Sequence, residues 1–183
     1  MQQAPGMSEL SESLSAVEAH LVEQIPASLA NYNSTASHYA LFLQYVDYSC
    51  DPEVPVVIFG TVDDREQRLK DSPDMVWIPE FGLADIQFDD HAIVDACKSC
   101  YRLMQEAADD FDEDDVILLP LRKMLYRACG ALLKHEAISN LNPTDDFVVT
   151  AIDAAGYWYD QDLSHCVTPE RIQLLQNRGF YPS

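Results

Sequence analysis

Basic residues are scarce in this chain. Eleven lysines and arginines stand against 31 aspartates and glutamates, a formal net charge of −20. A field of that sign repels phosphate backbones and anionic membrane surfaces, so direct binding to nucleic acid or to a membrane is disfavoured and a cationic partner is favoured. Glycine is scarce as well, six in 183 residues, and no phosphate-cradling Gly loop, GxSxG turn or HExxH helix occurs. No apolar run approaches the roughly 20 residues of a membrane span. The start, MQQAPGMSELSESLSAVEAHL, lacks the basic head and unbroken apolar stretch of a secretory signal. The five cysteines, at 50, 97, 100, 129 and 166, are odd in number and have no framework spacing. That pattern fits reduced thiols in a cytoplasmic protein.

What is present argues for a folded unit. Hydrophobic residues make up 48% of the chain, too many for a disordered one, and 183 residues suffice for one sizeable core. Residues 1–7 read as a loose leader and 8–183 as one domain. From Ser8 to Gln24, the residues Leu10, Leu14, Val17, Leu21 and Ile25 recur at helical spacing, and Pro26 marks a bend or stop. HYALFLQYVDY (38–48) has strand composition, with Tyr39, Leu41, Leu43 and Tyr45 sharing one face. VPVVIFGTV (54–62) is a second strand, and the turn-rich SCDPE between them makes a hairpin the economical inference. Residues 63–71 suit a short helix, and 75–88 an irregular segment. Two longer helices follow, over about 90–108 and 115–138, with Pro120 near the start of the second. DFVVTAIDAAG (146–156) returns to strand character. TPERIQLLQNRG (168–179) is a final helix with Thr168 as cap, Pro169 first and Gly179 closing. The expected fold class is α+β, with a small, largely antiparallel sheet packed by several helices.

Seven carboxylates crowd the ten positions Glu106 to Asp115. Asp110, Asp112 and Asp114 have the spacing that opens an EF-hand loop, but the sixth position is Asp115 where Gly is required and the twelfth is Leu121 where a bidentate Glu is required. No calcium site is assigned. The helix dipole favours acids at the start of the following helix, which accounts for two or three of the seven. Cys97-Lys98-Ser99-Cys100 has no second ligand pair for zinc and falls inside a helical pattern, so both cysteines read as packing residues. The five histidines are far apart, and the adjacency of His165 and Cys166 does not build a nucleophile and base. No catalytic residue, metal site or cofactor is assigned. Two candidate surfaces remain: the acidic run, with Asp109, Asp110, Asp112, Glu113, Asp114 and Asp115, and GYWYDQD (156–162), where Tyr157, Trp158 and Tyr159 adjoin Asp160 and Asp162. Aromatics beside acids suit an arginine- or lysine-rich partner. Equally, such aromatics cap one end of a core, and such acids form a solvated loop.

DFVVTAIDAAG followed by TPERIQLLQNRGFYP resembles the end of the bacterial domain of unknown function 4303. HYALFLQYVDY and DMVWIPEFGLADIQFDD resemble its first half, so the likeness runs from about residue 10 to the end. Domains of this kind are often encoded beside secreted toxins. The resemblance implies a cytoplasmic immunity protein that binds and blocks a toxin, and it supplies no active-site residues. Three readings follow. The first is an immunity or antitoxin-like protein that neutralises a basic toxin, such as a nuclease, through an acidic surface with aromatic anchors. The second is an enzyme whose acidic cleft acts on a cationic or metal-bound substrate. The third is a scaffold that dimerises through an apolar patch.

Overall fold

In the computed structural model, residues 5–45, 55–72, 76–77, 84–86, 88, 91–108, 114–154, 156 and 158–181 are described. The elements run α1 (Pro5–Leu29), β1 (His38–Tyr45), β2 (Val56–Thr61), α2 (Val62–Asp71), α3 (His91–Ala108), α4 (Asp114–Leu132), a 3₁₀ helix (Glu136–Leu141), β3 (Pro143–Asp153), α5 (Tyr159–Cys166) and α6 (Pro169–Asn177). The α+β class holds. The sheet order is β2-β1-β3. β1 pairs with β2 in the antiparallel sense, as the hairpin reading requires, and with β3 in the parallel sense, so the sheet is mixed and not largely antiparallel as expected.

All eight residues of β1 are buried, because the strand is central and helices cover both faces of the sheet. On one face Leu41, Leu43 and Tyr45 meet the apolar stripes of α1, α3 and α4. On the other, Ala40 and Phe42 meet Trp77, Leu163 of α5, Leu175 of α6 and the flank of α2 through Leu69. Simple alternation puts Tyr39 beside Leu41, yet it packs with Phe42 on the second face. A register shift between His38 and Ala40 in both ladders reverses its side, as a bulge does.

Several boundaries differ from expectation, and α1 begins at Pro5, inside the stretch 1–7 expected as a leader. α1 continues through Pro26 to Leu29, and Ala30 N–H donates to the Pro26 carbonyl at 2.9 Å. Complete burial of Ile25 and Leu29 outweighs the lost helix bond, worth about 3 kcal/mol. Pro120 is the seventh residue of α4, beyond the first turn where a proline is harmless. α4 stops at Leu132, since His135 takes extended backbone and its ring accepts from Ala137 N–H to cap the 3₁₀ helix. α6 conforms in detail: Thr168 accepts from Arg171 N–H, Pro169 is first, and Gly179 has φ +73°. Most of the irregular segment expected over 75–88 lies outside the described residues, and so does 46–54, where the hairpin turn is expected.

Candidate functional site: the paired starts of α4 and α5, and an acidic cleft

α5 has only one fully buried apolar side chain, Leu163, and its position is set instead by charge. Asp162 has no exposure and accepts three hydrogen bonds: from Arg122 Nε at 2.9 Å, from the Tyr126 hydroxyl at 2.6 Å and from the Tyr45 hydroxyl at 2.8 Å. Arg122 is itself buried, donates to Gln161 at 3.3 Å, and has the Trp158 ring 4.8 Å from its guanidinium carbon. Burial works against its charge, but Asp162, Tyr45 and Tyr126 together outweigh burial, and Arg122 titrates above its ordinary value. Burial and Asp162 together push both phenols far up. Tyr126 also stacks on His165, 4.9 Å between centroids, and His165 Nδ1–H donates to the Gln161 carbonyl.

These contacts fix direction. Arg122 meets Trp158 and Asp162, and Tyr126, one turn on, meets Asp162 and His165. α4 and α5 therefore run the same way and present their starts to one end of the molecule. Asp114 and Asp115 open α4, seven to eight residues before Arg122, or about 10–12 Å along the axis. Two parts of the two candidate surfaces are thus brought to the same end: the acidic start of α4 and the Trp158–Tyr159–Asp160 start of α5. Asp109, Asp110, Asp112, Glu113 and Tyr157 lie outside the described residues, as do the first four positions of the loop considered for calcium. Trp158 and Tyr159 are half-buried, the first against Arg122 and the second against the core of the second face. Sequence reasoning missed Arg122 and the burial of Asp162. Forty positions separate them, and one aspartate among 31 acids carries no signal.

The surplus of acid is set by composition, 31 acids against 11 bases, and the arginines are largely drawn into ion pairs. Among the described residues at least five of the seven, Arg65, Arg102, Arg122, Arg127 and Arg178, form ion pairs with carboxylates of this chain. Cys97 and Cys100 are buried in α3, and burial pushes their thiols up to about 12 and about 11, the range of inert packing cysteines. Among the described residues, no three His, Cys, Asp or Glu side chains gather as a metal-ligand set. No helix among them is long and apolar enough to cross a membrane.

A second candidate lies along β2, the sheet edge opposite β3 and α5. A cleft of about 600 Å³ has buried Tyr39, Phe42, Ile58, Phe59 and Gly60 as its floor, and Thr61, Asp64, Gln67, Arg68, Asp71, Ser72, Ala84 and Asp85 as its rim. A capping box builds one wall: Thr61 accepts from Asp64 N–H, and the Asp64 carboxylate accepts from Thr61 N–H. Asp85 builds the other. Its N–H donates to the Val57 carbonyl, and its Oδ2 accepts from Phe59 N–H at 2.7 Å, which occupies a donor on the outer edge of β2. Partial burial raises the Asp85 carboxyl above its ordinary range.

Compared with protein-family models, curated proteins and solved structures, the chain matches none.

Proposed function

We propose that this protein is an immunity or antitoxin-like inhibitor that binds a basic toxin, such as a nuclease, and does no chemistry on it. One observation carries the reading: the net charge is −20, and at least five of the seven arginines are held by the chain's own carboxylates. The unneutralised field is acidic, and acidic inhibitors gain fast, salt-sensitive association with basic partners. The end that joins Asp114 and Asp115 of α4 to Trp158 and Tyr159 of α5 is the surface on which we place the contact, with Asp109, Asp110, Asp112, Glu113 and Tyr157 adjoining in sequence. The resemblance to domain of unknown function 4303 supports the same role, in the cytoplasm of a bacterium.

The test is affinity capture of the tagged protein from its host at low and high salt, beside a variant with Asp112, Glu113, Asp114 and Asp115 neutralised. A single stoichiometric basic protein is expected, held more weakly and with a flatter salt dependence by the variant. If no such protein is retained, or if neutralisation leaves its association rate unchanged, the reading is wrong.

A second reading, an enzyme acting on a cationic substrate, is favoured by the cleft along β2, where Asp64, Asp71 and Asp85 surround an apolar floor.

A further inference from the structure

The cleft has the two-part character of a small-molecule site. Its volume, about 600 Å³, falls within the range of pockets that enclose small ligands. The floor is aromatic, aliphatic and bare backbone. Gly60 matters here: a Cβ at this position would fall 2.7 Å from Tyr39 Cε1 and 2.9 Å from Phe42 Cε2. Only glycine lets the two rings pack down on β2. The rim is unlike the floor. Among the described residues of the rim, three carboxylates, Asp64, Asp71 and Asp85, face one base, Arg68. An anion placed there would be repelled by three groups and attracted by one, whereas a cation gains from the three.

The rim carboxylates are already oriented. Asp64 is held by the capping box with Thr61, Asp71 accepts from Gln67 Nε2, and Asp85 is tied to Phe59 N–H. Asp64 and Asp85, tied to backbone N–H groups, are therefore oriented before a ligand arrives, which lowers the entropic cost of binding. Partial burial works against the ionised form of Asp85, and a cation seated beside it offsets that loss.

We propose that this cleft binds a small organic monocation with an apolar body, an amidinium, guanidinium or ammonium group carried on an aryl or alkyl frame. The apolar frame lies against Thr61, Ala84 and the outer atoms of Ile58, above the buried rings of Tyr39 and Phe42, and the charged head sits among Asp64, Asp71 and Asp85. This names a ligand class for the cleft of the second reading and requires no turnover. It is independent of the toxin-binding reading, since α5 packs on β3 at the other edge of the sheet.

The experiment is a titration of the full chain, at physiological ionic strength, with benzamidinium, its neutral isostere benzamide and anionic benzoate. Backbone amide shifts are read by NMR, with the Gly60 amide and the Trp77 indole as local reporters. Benzamidinium is expected to saturate at one site, to shift Gly60 and Thr61, and to bind about tenfold more tightly than benzamide, a difference of about 1.4 kcal/mol. Asp71→Asn and Asp85→Asn are each expected to weaken it by about three- to fivefold, as for partly exposed charge pairs. The side-chain amide introduced by Asp85→Asn keeps a carbonyl that can accept from Phe59 N–H, so the edge of β2 is preserved. Benzamide binding as tightly as benzamidinium, shifts that map away from β2 and α2, or no response to either substitution would each overturn the proposal. Saturable binding without turnover of amine or amidine substrates would retain the site and remove the enzyme reading. Failure to bind benzamidinium removes the site and leaves the toxin test untouched.

Discussion

Arg122 and Arg65 are both buried guanidinium groups, each set against aromatic rings and each tied to a carboxylate with no exposure, yet their surroundings differ in what could replace that carboxylate. Asp162 serves one cation and two phenols, and every one of its partners comes from the interior or its margin. Asp146 serves two cations: Arg65 at 3.0 Å, which lies 4.0 Å from the Phe180 ring, and Arg178 at 3.1 Å, with Thr144 adding a hydroxyl at 2.6 Å. Arg178 is a third exposed and also grips the exposed carboxylate of Asp145. The first cluster locks α5 to α4 and β1. The second locks α2 and the segment after α6 to the start of β3. The same chemistry thus has a reserve partner at one place and none at the other.

The largest expected effect tests that difference. Asp162→Ala leaves Arg122 with Gln161 and leaves the buried Tyr45 hydroxyl and the half-buried Tyr126 hydroxyl without their acceptor, so a loss of about 3–5 kcal/mol is expected. Asp146→Ala strands Arg65 but leaves Arg178 with Asp145, so its loss should lie near about 3 kcal/mol, the lower end of that range. Urea unfolding of both variants decides it. If Asp146→Ala is the more damaging, the reserve supplied by Asp145 has no energetic meaning.

Acid should act on the second cluster in a defined window. Burial pushes the Asp146 carboxyl up, but Thr144, Arg65 and Arg178 together outweigh burial and hold it below the ordinary value. A carboxyl depressed in the folded state adds stability above its unfolded pKa, about 3.9, and loses it as pH falls through the lower folded value. The stability gap between the native chain and Asp146→Asn is therefore expected to stay constant from pH 7 to about pH 5 and to close below about pH 4. Melting temperatures across that range measure it. A gap that widens in acid would mean that the direction assigned to Asp146 is wrong.

Much of this arrangement is local and can be read from residues alone. The stripe Leu10, Leu14, Val17, Leu21, Ile25 lies buried as its period requires, and Thr168, Pro169 and Gly179 delimit α6. The β1–β2 hairpin is local too. What escapes is non-local or depends on one residue. The parallel pairing of β1 with β3 joins segments about a hundred positions apart, and nothing in either strand's composition states its partner. Tyr39 changes face through a bulge that alternation alone cannot foresee. α5 is hidden because its apolar stripe is short, although Asp160 and Asp162 in the first turn, with Leu163, Cys166 and Val167 behind them, are a usable signal. Of the candidate surfaces, the residues mark both acidic run and aromatic segment, but only the contacts of Arg122 and Tyr126 show that α4 and α5 start at one end. The cleft along β2 has no sequence signature, since Asp64, Asp71 and Asp85 come from a helix and from a separate edge segment.

The smallest expected effect couples the cleft floor to the second cluster. Tyr39 is pinned on three sides: its hydroxyl donates to the Val76 carbonyl at 2.8 Å, its ring meets Trp77 edge-on at 5.5 Å, and Arg65 lies 4.9 Å from its centroid. Gly60→Ala puts a methyl group against that ring, and overpacking of this kind costs about 1–3 kcal/mol. The ring can yield only by moving against Trp77 or Arg65 or by stretching its hydroxyl bond. Because Arg65 is shared, the cost of Gly60→Ala should change when Asp146 is also replaced, by about 0.5 kcal/mol or more, as for residues in one network. Combined with Asp162→Ala, which belongs to the other cluster, the two losses should add within about 0.5 kcal/mol. Unfolding of the two double variants measures both sums. If Gly60→Ala couples equally to both carboxylates, the clusters are not energetically separate, and if it is as stable as the native chain, the rings on β2 have room that their geometry denies.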